Sequence, residues 1–465
     1  MFLSDYIIWV QSGHINPREI MNECLAKIKK NELNSWIRDC HEYAESHIDE
    51  YKHKALCGAP IGIKDIIMTQ GITTTCGSKM LENYIPEYSA TCFQKLEQAW
   101  GLMIGKNTMD EFAMWWSGEH CAFGPTLNPR DHSRIAGWSS SGSAASVANH
   151  ECLAALGTDT GWSVRLPAAF CGIVGFKPTY GHISRFGVQS MSNSLDQIGV
   201  LAQSVNDAEI VYKQIRWVDA HDMRTISDTS DTLHKGKQGK DLRICVMNEF
   251  FQDGIDPLIK QETVSYIDRL KSAGYNITFI DFPWLKYLIA TYYIICPAEV
   301  STNVARFDGI RYGLQADTSL FDSVQEYYTH IRSQGFGTEV KRRILTGSHV
   351  LSSWYADQYF HKAIKVRDFI RWEYEKLFKQ YDIVMGPTSP VWPWKIGWHA
   401  NDPIAEYLVD AYAVPANLIQ APAISLPIGF GVHEWVKLPI GMQLMAKPWN
   451  DELLFIMGKE LEKRT

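Results

Sequence analysis

The stretch from residue 135 to residue 187 restricts the fold more than any other part of this chain, because glycine, serine and other small residues dominate it. Two of its segments are GWSSSGSAAS and GTDTGWSVRLP. The first turn of a helix leaves backbone N–H groups without intrahelical partners. We therefore predict loops that lead into helices here, one of them beginning near Ser141, with N–H groups free to bind a ligand.

The segments on either side alternate between helix and strand patterns. Asn16-Pro17 followed by REIMNECLAKIKK is typical of a capped amphipathic helix with proline in its first position. APIGIKDIIM is a short apolar run with one cation, which predicts a buried strand within 59–68. Helix-to-strand units are predicted from SATCFQKLEQAWGLMIGKN and ETVSYIDRLKSAGYNITFID, and paired late strands from AISLPIGF and LPIGMQLMAKP. This alternation predicts an α/β fold.

Length and charge limit the class of protein. At 465 residues and 52.9 kDa the chain has room for one large α/β domain or two ordinary ones. The polar, weakly patterned segment 216–240 would be a linker between two domains or an excursion on the surface of one. A net charge of −7 argues against broad non-specific binding of nucleic acid. It does not exclude a chain that works beside RNA held by a partner.

Cysteine usage and the N-terminus favour a reducing compartment. The ten cysteines are scattered without a C-x-x-C pair, which argues against a zinc ribbon or a thioredoxin-type motif and predicts buried thiols without a metal site. The segment MFLSDYIIWVQSG carries Asp5 and has neither a basic region nor a small-residue cleavage site, so it does not resemble a signal peptide. No apolar run reaches membrane-spanning length. We expect a cytoplasmic enzyme that does not contact a membrane.

Three polar sites suggest chemistry: Lys64 in an apolar strand, the serine cluster of GWSSSGSAAS, and Ser163 in GTDTGWS. Neither serine site lies in the G-x-S-x-G pattern of an α/β-hydrolase, and the chain has no G-x-x-x-x-G-K-[ST] phosphate loop. Taken singly, a lysine of this kind usually extends its amine to solvent, and segments rich in serine and glycine are usually plain loops. Only the combination of the three sites favours catalysis.

Together these segments resemble the amidase signature family over nearly the whole chain. PIGIKD, GWSSSGSAASVA and GTDTGWSVRLPAAFCGIVGFKPTYG are similar to its three motif blocks, and the spacing from Lys64 to Ser139 to Ser163 is that of the family. The resemblance implies one α/β domain with a central mixed β-sheet flanked on both faces by helices. We divide residues 1–465 into a helical lead-in (1–55), a catalytic core (56–215), the polar excursion (216–240) and a C-terminal substrate-binding part (241–465).

The resemblance also implies a catalytic triad, in which Lys64 is the base, Ser139 relays a proton from within a cis peptide, and Ser163 is the nucleophile. The backbone N–H groups of four residues would form the oxyanion hole: Thr160, Gly161, Trp162 and Ser163. Physical chemistry agrees with these roles, because the apolar neighbours of Lys64 would desolvate its amine and lower its pKa. Ser163 would then attack an amide carbonyl, form an acyl-enzyme and release ammonia.

Within the family, segments outside the general motifs resemble the A subunits of the tRNA-dependent amidotransferases. These segments are NTMDEFAM, CAFGPTLNPRD, AEVSTNVARFDGIRYG, EVKRRILTGSHVLSS and AEYLVDAYAVPANLIQAPAISLPIGF. The likeness implies that Arg343, with Arg342 as the alternative, binds the carboxylate of glutamine. Asp410 would bind the α-amino group, and both assignments suit the charges involved. Without the resemblance, Lys341-Arg342-Arg343 would be interpreted as a solvated charge run.

This likeness implies a glutaminase that works in a complex. It would hydrolyse glutamine, or asparagine, and pass ammonia to the partner B and C subunits, which convert Glu-tRNA(Gln) to Gln-tRNA(Gln). The corresponding conversion of Asp-tRNA(Asn) stays open, because the choice of tRNA lies with the tRNA-binding subunit. The misacylated tRNA, ATP and Mg²⁺ would bind to a partner, since this chain has no nucleotide motif and is expected to hold no cofactor. Two alternatives stay open. One is a stand-alone amidase for small amides, against which Arg343 and Asp410 argue, and the other is a non-catalytic scaffold within the same complex.

Tryptophan is the residue by which the sequence departs from the family. The chain has sixteen tryptophans. Trp138 and Trp162 occupy family glycine positions, where a large side chain should crowd the substrate or forbid the backbone angles. The same exchange is found at Trp100, Trp115, Trp116, Trp354 and Trp435. We hypothesise that these tryptophans represent a codon that some genetic codes read as glycine. The alternative is an inactive paralogue that kept its fold.

Overall fold

The computed structural model describes residues 1–50, 54–114, 117–226, 236–252, 254–398 and 409–464. Its α-helices in these ranges are α1 (Leu3–Gln11), α2 (Pro17–Lys30), α3 (His41–His47), α4 (Thr91–Gln98), α5 (Ser141–Ala148), α6 (Arg165–Cys171), α7 (Val205–Ile215), α8 (Pro257–Ser272), α9 (Leu288–Asn303), α10 (Val324–Gly335), α11 (Thr338–Leu351), α12 (Phe360–Gln380), α13 (Pro415–Leu418) and α14 (Asp451–Glu462).

The strands are β1 (Trp36–Asp39), β2 (Ala59–Lys64), β3 (Gly101–Asn107), β4 (Leu127–Asn128), β5 (Asp131–Ile135), β6 (Ala154–Asp159), β7 (Val174–Lys177), β8 (Gln197–Ala202), β9 (Arg243–Met247), β10 (Asn276–Ile280), β11 (Ile383–Pro387), β12 (Ala423–His433) and β13 (Val436–Ala446). Eleven of them form one sheet in the order β1-β3-β2-β6-β8-β7-β12-β13-β11-β9-β10, while β4 and β5 pair separately.

The sheet is mixed, as predicted. Strand β2 lies parallel to both β3 and β6, and β9 lies parallel to β10 and β11, whereas the six other pairs are antiparallel. Helices cover the sheet, so the interior strands are buried on both faces, and all six residues of β2 and of β6 are buried. The predicted fold class, one α/β unit around a central mixed sheet, is confirmed.

Local sequence signals account for the elements that were predicted. The side chain of Asn16 accepts a hydrogen bond from the Arg18 N–H and caps α2, which has Pro17 in its first turn. Strand β2 ends at Lys64, and α5 begins at Ser141 as expected. The lead-in is not wholly helical, because residues 36–39 form the edge strand β1. The proposed division of the chain into four parts stays a prediction, and part of the polar excursion, 227–235, lies outside the described residues.

All ten cysteines are buried and free, in agreement with the prediction of buried thiols. Burial raises the pKa of these thiols, for example that of Cys92 to about 12. They therefore stay protonated at neutral pH, and a protonated thiol is a poor nucleophile. Among the helices of the described residues, none combines the length and the apolar character needed to cross a membrane.

Candidate active site

Lys64 lies at the carboxyl end of β2, in the middle of the sheet, and its side chain is fully buried. Its amine donates hydrogen bonds to the hydroxyl oxygens of Ser139 (2.8 Å), Ser140 (2.9 Å) and Thr158 (2.8 Å). Thr158 is on β6, which pairs in parallel with β2, so the two strands end at the same edge of the sheet. The base and the relay predicted from the sequence are therefore brought into direct contact.

Burial lowers the pKa of Lys64 from 10.5 to about 7, because the apolar surroundings disfavour the charged ammonium. The nearby carboxyls of Asp110 and Asp159 oppose this shift. An amine with a pKa near 7 is neutral in about half of the molecules at neutral pH and can accept a proton. The electrostatics at Lys64 thus suit the function of a general base.

Ser139 lies on the loop that leads into α5, and the expected cis peptide before it is not present. All peptide bonds of the described residues are trans. The chain instead turns through Trp138, whose φ is 47°, and the Ser141 N–H closes the turn by donating to the Trp138 carbonyl at 3.0 Å. The cis bond that the resemblance implied was therefore wrong, and the left-handed φ of Trp138 makes the turn with a trans bond instead.

Ser163 lies on a loop between β6 and α6 that a buried ion pair holds in place. The guanidinium of Arg165 donates to both carboxylate oxygens of Asp159, at 3.0 Å each, and to the Gly161 carbonyl at 2.6 Å. Asn417 reaches the same group from the C-terminal part of the chain, accepting from Arg165 at 2.7 Å and donating to the Asp159 carbonyl oxygen at 3.0 Å. Arg165 and Asp159 are fully buried, so this clamp fixes the backbone that would surround an oxyanion.

The polar groups of this loop are available for a substrate. In the described part of the chain, no hydrogen bond uses the backbone N–H of Thr160, Gly161, Trp162 or Ser163. The Thr160 hydroxyl instead donates to Asp196 at 2.8 Å, which orients that residue. No hydrogen bond of the described residues joins the Ser163 hydroxyl to Ser139 either. The relay to the predicted nucleophile is therefore not connected in this structure.

Two buried indoles pack against each other beside the loops of Ser139 and Ser163. The Trp138 and Trp162 rings meet edge to face with their centroids 6.1 Å apart, and both side chains are buried. Trp162 also packs against Tyr292 at 5.5 Å, and Trp138 against Trp394 at 5.7 Å. Neither the Trp138 nor the Trp162 indole N–H has a hydrogen-bond partner among the described residues. The two indoles are thus buried against each other, and Trp138 adopts a left-handed φ, while the expected crowding of a substrate stays a prediction.

The two arginines proposed for the substrate carboxylate differ in burial. Arg343 on α11 is buried, whereas about 40% of the Arg342 side chain is exposed, although both form an ion pair with Glu339. Burial opposes the charge of Arg343, but the Glu339 carboxylate raises its pKa overall. Arg342, Arg343 and Tyr293 all line one cavity of about 270 Å³. Burial is therefore what distinguishes Arg343 from Arg342, and the binding of a carboxylate by either stays a prediction.

Asp410 is fully buried and accepts a hydrogen bond from the hydroxyl of Tyr293 on α9. The neighbouring Tyr292 faces the indole of Trp162, and the charges of Arg343 and Asp410 both act on these two tyrosines. The tyrosine pair thus connects the loop of Ser163 with both predicted substrate-binding groups. Burial raises the pKa of both tyrosines well above 10, so they remain neutral hydrogen-bond donors.

Several of these contacts were not predicted from the sequence. Thr158 is the second residue of GTDTGWS, so it belongs to a recognised motif, but alternation along β6 alone does not tell which hydroxyl faces Lys64. Tyr292 and Glu339 come from helices whose packing has no local signal. Tryptophans 115 and 116 lie outside the described residues. The described residues include no cluster of three His, Cys, Asp or Glu side chains arranged to hold a metal.

Comparison with known proteins agrees with the family resemblance of the motifs. The family model for Amidase matches residues 19–455. The A subunit of glutamyl-tRNA(Gln) amidotransferase from Prochlorococcus marinus is 42% identical over 98% of this chain and 95% of its own length. The protein of the same name from Thermoanaerobacter pseudethanolicus is 43% identical over 95% and 92%. The crystal structure of the Thermotoga maritima counterpart has a TM-score of 0.76 at 35% identity, covering 96% of this chain and 94% of that one. The chain therefore belongs to the amidase family, in the group of the glutamyl-tRNA(Gln) amidotransferase A subunits.

Proposed function

We propose that this chain is the glutaminase subunit of a tRNA-dependent amidotransferase and that it acts through a Ser–Ser–Lys triad. The observation that supports this most is the buried Lys64 amine, which lies 2.8 Å from the Ser139 hydroxyl and has a pKa of about 7. A lysine at the surface would remain charged and could not remove a proton. Membership in the A-subunit group supports the choice of glutamine as the amide donor.

The reaction starts when Ser163 Oγ attacks the amide carbon of glutamine. The hydroxyl proton of Ser163 passes to Ser139, whose own proton passes to the neutral amine of Lys64. The carbonyl oxygen becomes an oxyanion, which the N–H groups of residues 160–163 stabilise by roughly 3–4 kcal/mol per donor. When the C–N bond breaks, the leaving nitrogen takes the proton back through Ser139 and departs as ammonia. Water then attacks the acyl-Ser163 ester and releases glutamate.

Recognition of free glutamine needs a cation for its carboxylate and an anion for its ammonium. Arg343 supplies the first, and its planar guanidinium can bind a carboxylate with two parallel hydrogen bonds. Asp410 supplies the second, while the Tyr293 hydroxyl orients its carboxylate. Since Arg343 is paired with Glu339, the substrate carboxylate would share or replace that partner.

The remaining parts of the reaction belong to partner subunits. We propose a heterotrimer with the B and C subunits in the cytoplasm, in which a partner binds the misacylated tRNA, ATP and Mg²⁺ and receives the ammonia. The product is then Gln-tRNA(Gln), made from Glu-tRNA(Gln), in accordance with the names of the relatives. This chain would need no cofactor of its own, because its lysine, two serines and backbone N–H groups complete the hydrolysis.

One observation favours a different function. The described residues show no hydrogen bond between the Ser163 hydroxyl and Ser139, and the buried Trp138 and Trp162 indoles next to these serines pack against each other. A chain with these side chains would serve as a scaffold in the complex without glutaminase activity. A stand-alone amidase for small amides is the other alternative, but it would have no use for Arg343 and Asp410 in their buried positions.

The test uses the full chain purified from its native host together with any subunits that accompany it. We expect glutamate release from glutamine and a hydroxamate product when hydroxylamine replaces water as the acceptor, because an acyl-enzyme can transfer its acyl group to either nucleophile. Ser163→Ala should abolish both, whereas Ser141→Ala should retain them, since Ser141 contacts Thr126 rather than Lys64. Release of glutamate at an unchanged rate by Ser163→Ala would refute the nucleophile, and no release by the native chain would favour the scaffold.

A further inference from the structure

Tryptophan is unusually frequent in the left-handed region of backbone conformation in this chain. Fourteen of the sixteen tryptophans lie in the described residues, and four of them have positive φ: Trp100 (61°), Trp138 (47°), Trp435 (67°) and Trp449 (74°). Of the nineteen phenylalanines only Phe112 has such a φ, and none of the described tyrosines has one. Because a Cβ atom disfavours this region, glycine is the residue that normally occupies it.

Trp100 occupies a position where helices usually have glycine. Helix α4 ends at Gln98, and Trp100 lies two residues beyond it, immediately before β3. Its N–H donates to the Glu97 carbonyl at 2.8 Å, so this residue closes the end of the helix in a left-handed conformation. Glycine is strongly enriched at this place in helix termini, since it alone adopts the conformation without strain.

Trp435 lies in the two-residue turn of the hairpin between β12 and β13. Glu434 and Trp435 both have positive φ, and the residues on either side of them, His433 and Val436, pair across the strands. Such a turn favours glycine at its second position. The Trp435 side chain is 99% exposed, so its indole gains nothing from packing. Neither conformation nor burial therefore accounts for a tryptophan here.

At positions 138 and 162, inside the protein, the structure also gives no reason for a tryptophan. The φ of Trp138 is left-handed, and both indoles bury an N–H that has no partner among the described residues. The Trp138 ring contacts the Trp162 ring, which in turn contacts Tyr292, and the two tryptophans directly precede Ser139 and Ser163 in the chain. A donor amide attacked by Ser163 would have to lie beside that serine and therefore next to these buried rings.

We infer that the native chain carries glycine at positions 100, 138, 162 and 435, and that the volume filled by the indoles of Trp138 and Trp162 is the pocket for the donor amide. The second half of this inference rests on the proposed function. A single codon that one genetic code reads as glycine and another as tryptophan would produce the same exchange at all four positions. Trp449 shares the left-handed φ, but its ring packs against the ring of His182 at 4.9 Å, so it is not included.

Other tryptophans differ in ways that mark them as genuine. The indole N–H of Trp36 donates to the Glu151 carboxylate at 2.7 Å, in a buried position on β1. Trp372 is half-exposed but lies within α12, where glycine would weaken the helix. These two residues provide internal controls, one for identity and one for stability.

Peptide mass spectrometry of the protein from its native host tests residue identity without any need for activity. We expect glycine at 100, 138, 162 and 435 and tryptophan at 36, and the masses of the two residues are easily distinguished. Tryptophan at any of the four positions would overturn the inference. A stability comparison gives a second, independent measurement on the full recombinant chain. Trp435→Gly should raise Tm by a few degrees and Trp372→Gly should lower it, whereas a lower Tm for Trp435→Gly would contradict the conformational reasoning.

The pocket is tested by the double variant Trp138→Gly/Trp162→Gly of the full chain. We expect its hydrolysis of glutamine to exceed that of the chain with both tryptophans by on the order of 10²-fold or more, because the oxyanion site becomes accessible. Hydrolysis of small aliphatic amides without hydrolysis of glutamine would support the pocket but reject the proposed glutaminase. No gain with either substrate, while glycine is found at 138 and 162 by mass spectrometry, would overturn the placement of the pocket alone.

Discussion

Replacing Lys64 by methionine should remove a pH-dependent loss of stability that the buried amine imposes on the folded chain. Methionine is similar in length and unbranched, and it needs no hydrogen bond in the buried site at the end of β2. Some stability will be lost because the hydroxyls of Ser139 and Thr158 lose a partner, but that loss does not vary with pH. The pH dependence of the difference between the two chains therefore isolates the amine.

The magnitude follows from the pKa of Lys64, which burial lowers from 10.5 to about 7. Between these two values the unfolded chain holds a proton on this lysine and the folded chain does not, so the free energy of unfolding rises with pH. The slope is about 1.4 kcal/mol per pH unit. Summed over the interval, the amine lowers the stability of the folded chain by roughly 5 kcal/mol at neutral pH and by nothing above the unfolded pKa.

The assay is denaturant unfolding of the full chain and of Lys64→Met at several pH values above 8, with reversibility checked at each. Asp110 and Asp196 have pKa values of about 7 and about 6, so both are ionised throughout this range and do not contribute to the slope. We expect the difference in free energy of unfolding to change by about 1.4 kcal/mol per pH unit, in favour of the lysine form as pH rises. A difference that stays constant from about pH 8 to 10 would refute a neutral buried Lys64.

Three further results are expected for glutamine hydrolysis by the native protein. Ser139→Ala should lower kcat by on the order of 10²–10⁴-fold without raising KM, because it removes proton relay rather than binding, and an unchanged kcat would exclude the relay. Arg343→Lys should raise KM by roughly 10–100-fold, whereas the more exposed Arg342→Lys should alter KM less than about twofold; the reverse order would exchange their roles. Asp410→Asn should raise KM for glutamine and leave the rate of hydroxamate formation from a small amide unchanged. An equal loss of activity with both substrates would indicate a structural function.

Much of the fold was predictable because local signals coincide with the elements. The proline at the start of α2, the apolar run of β2 and the paired segments of β12 and β13 each determine a short piece of structure without help from the rest. The order of strands was not predictable in this way. Strands β12 and β13 lie between β7 and β11, and neither segment contains a local signal for the distant strand with which it pairs.

The candidate site, like the fold, was predictable only in part. Lys64, Ser139 and Ser163 were identified from their motifs, and the first two are in contact as expected. The connection of Ser163 to Ser139 was expected but is not made among the described residues, and the two tryptophans that directly precede these serines pack against each other there. Contacts formed by packing of whole helices, such as the Tyr293 hydroxyl on Asp410, depend on geometry that the sequence does not display.

The clamp around Arg165 has a consequence for the synthesis of the protein on the ribosome. Its guanidinium donates to the Ala413 carbonyl, 248 residues further along the chain, as well as to Asn417. Strand β7 likewise acquires its outer neighbour, β12, only when that late segment has been made. Until that late segment is made, the nascent chain exposes the β7 edge of the sheet, and the Arg165 guanidinium has only its nearby partners Asp159 and Gly161. The loop of Ser163 therefore acquires its full set of contacts only near the end of synthesis.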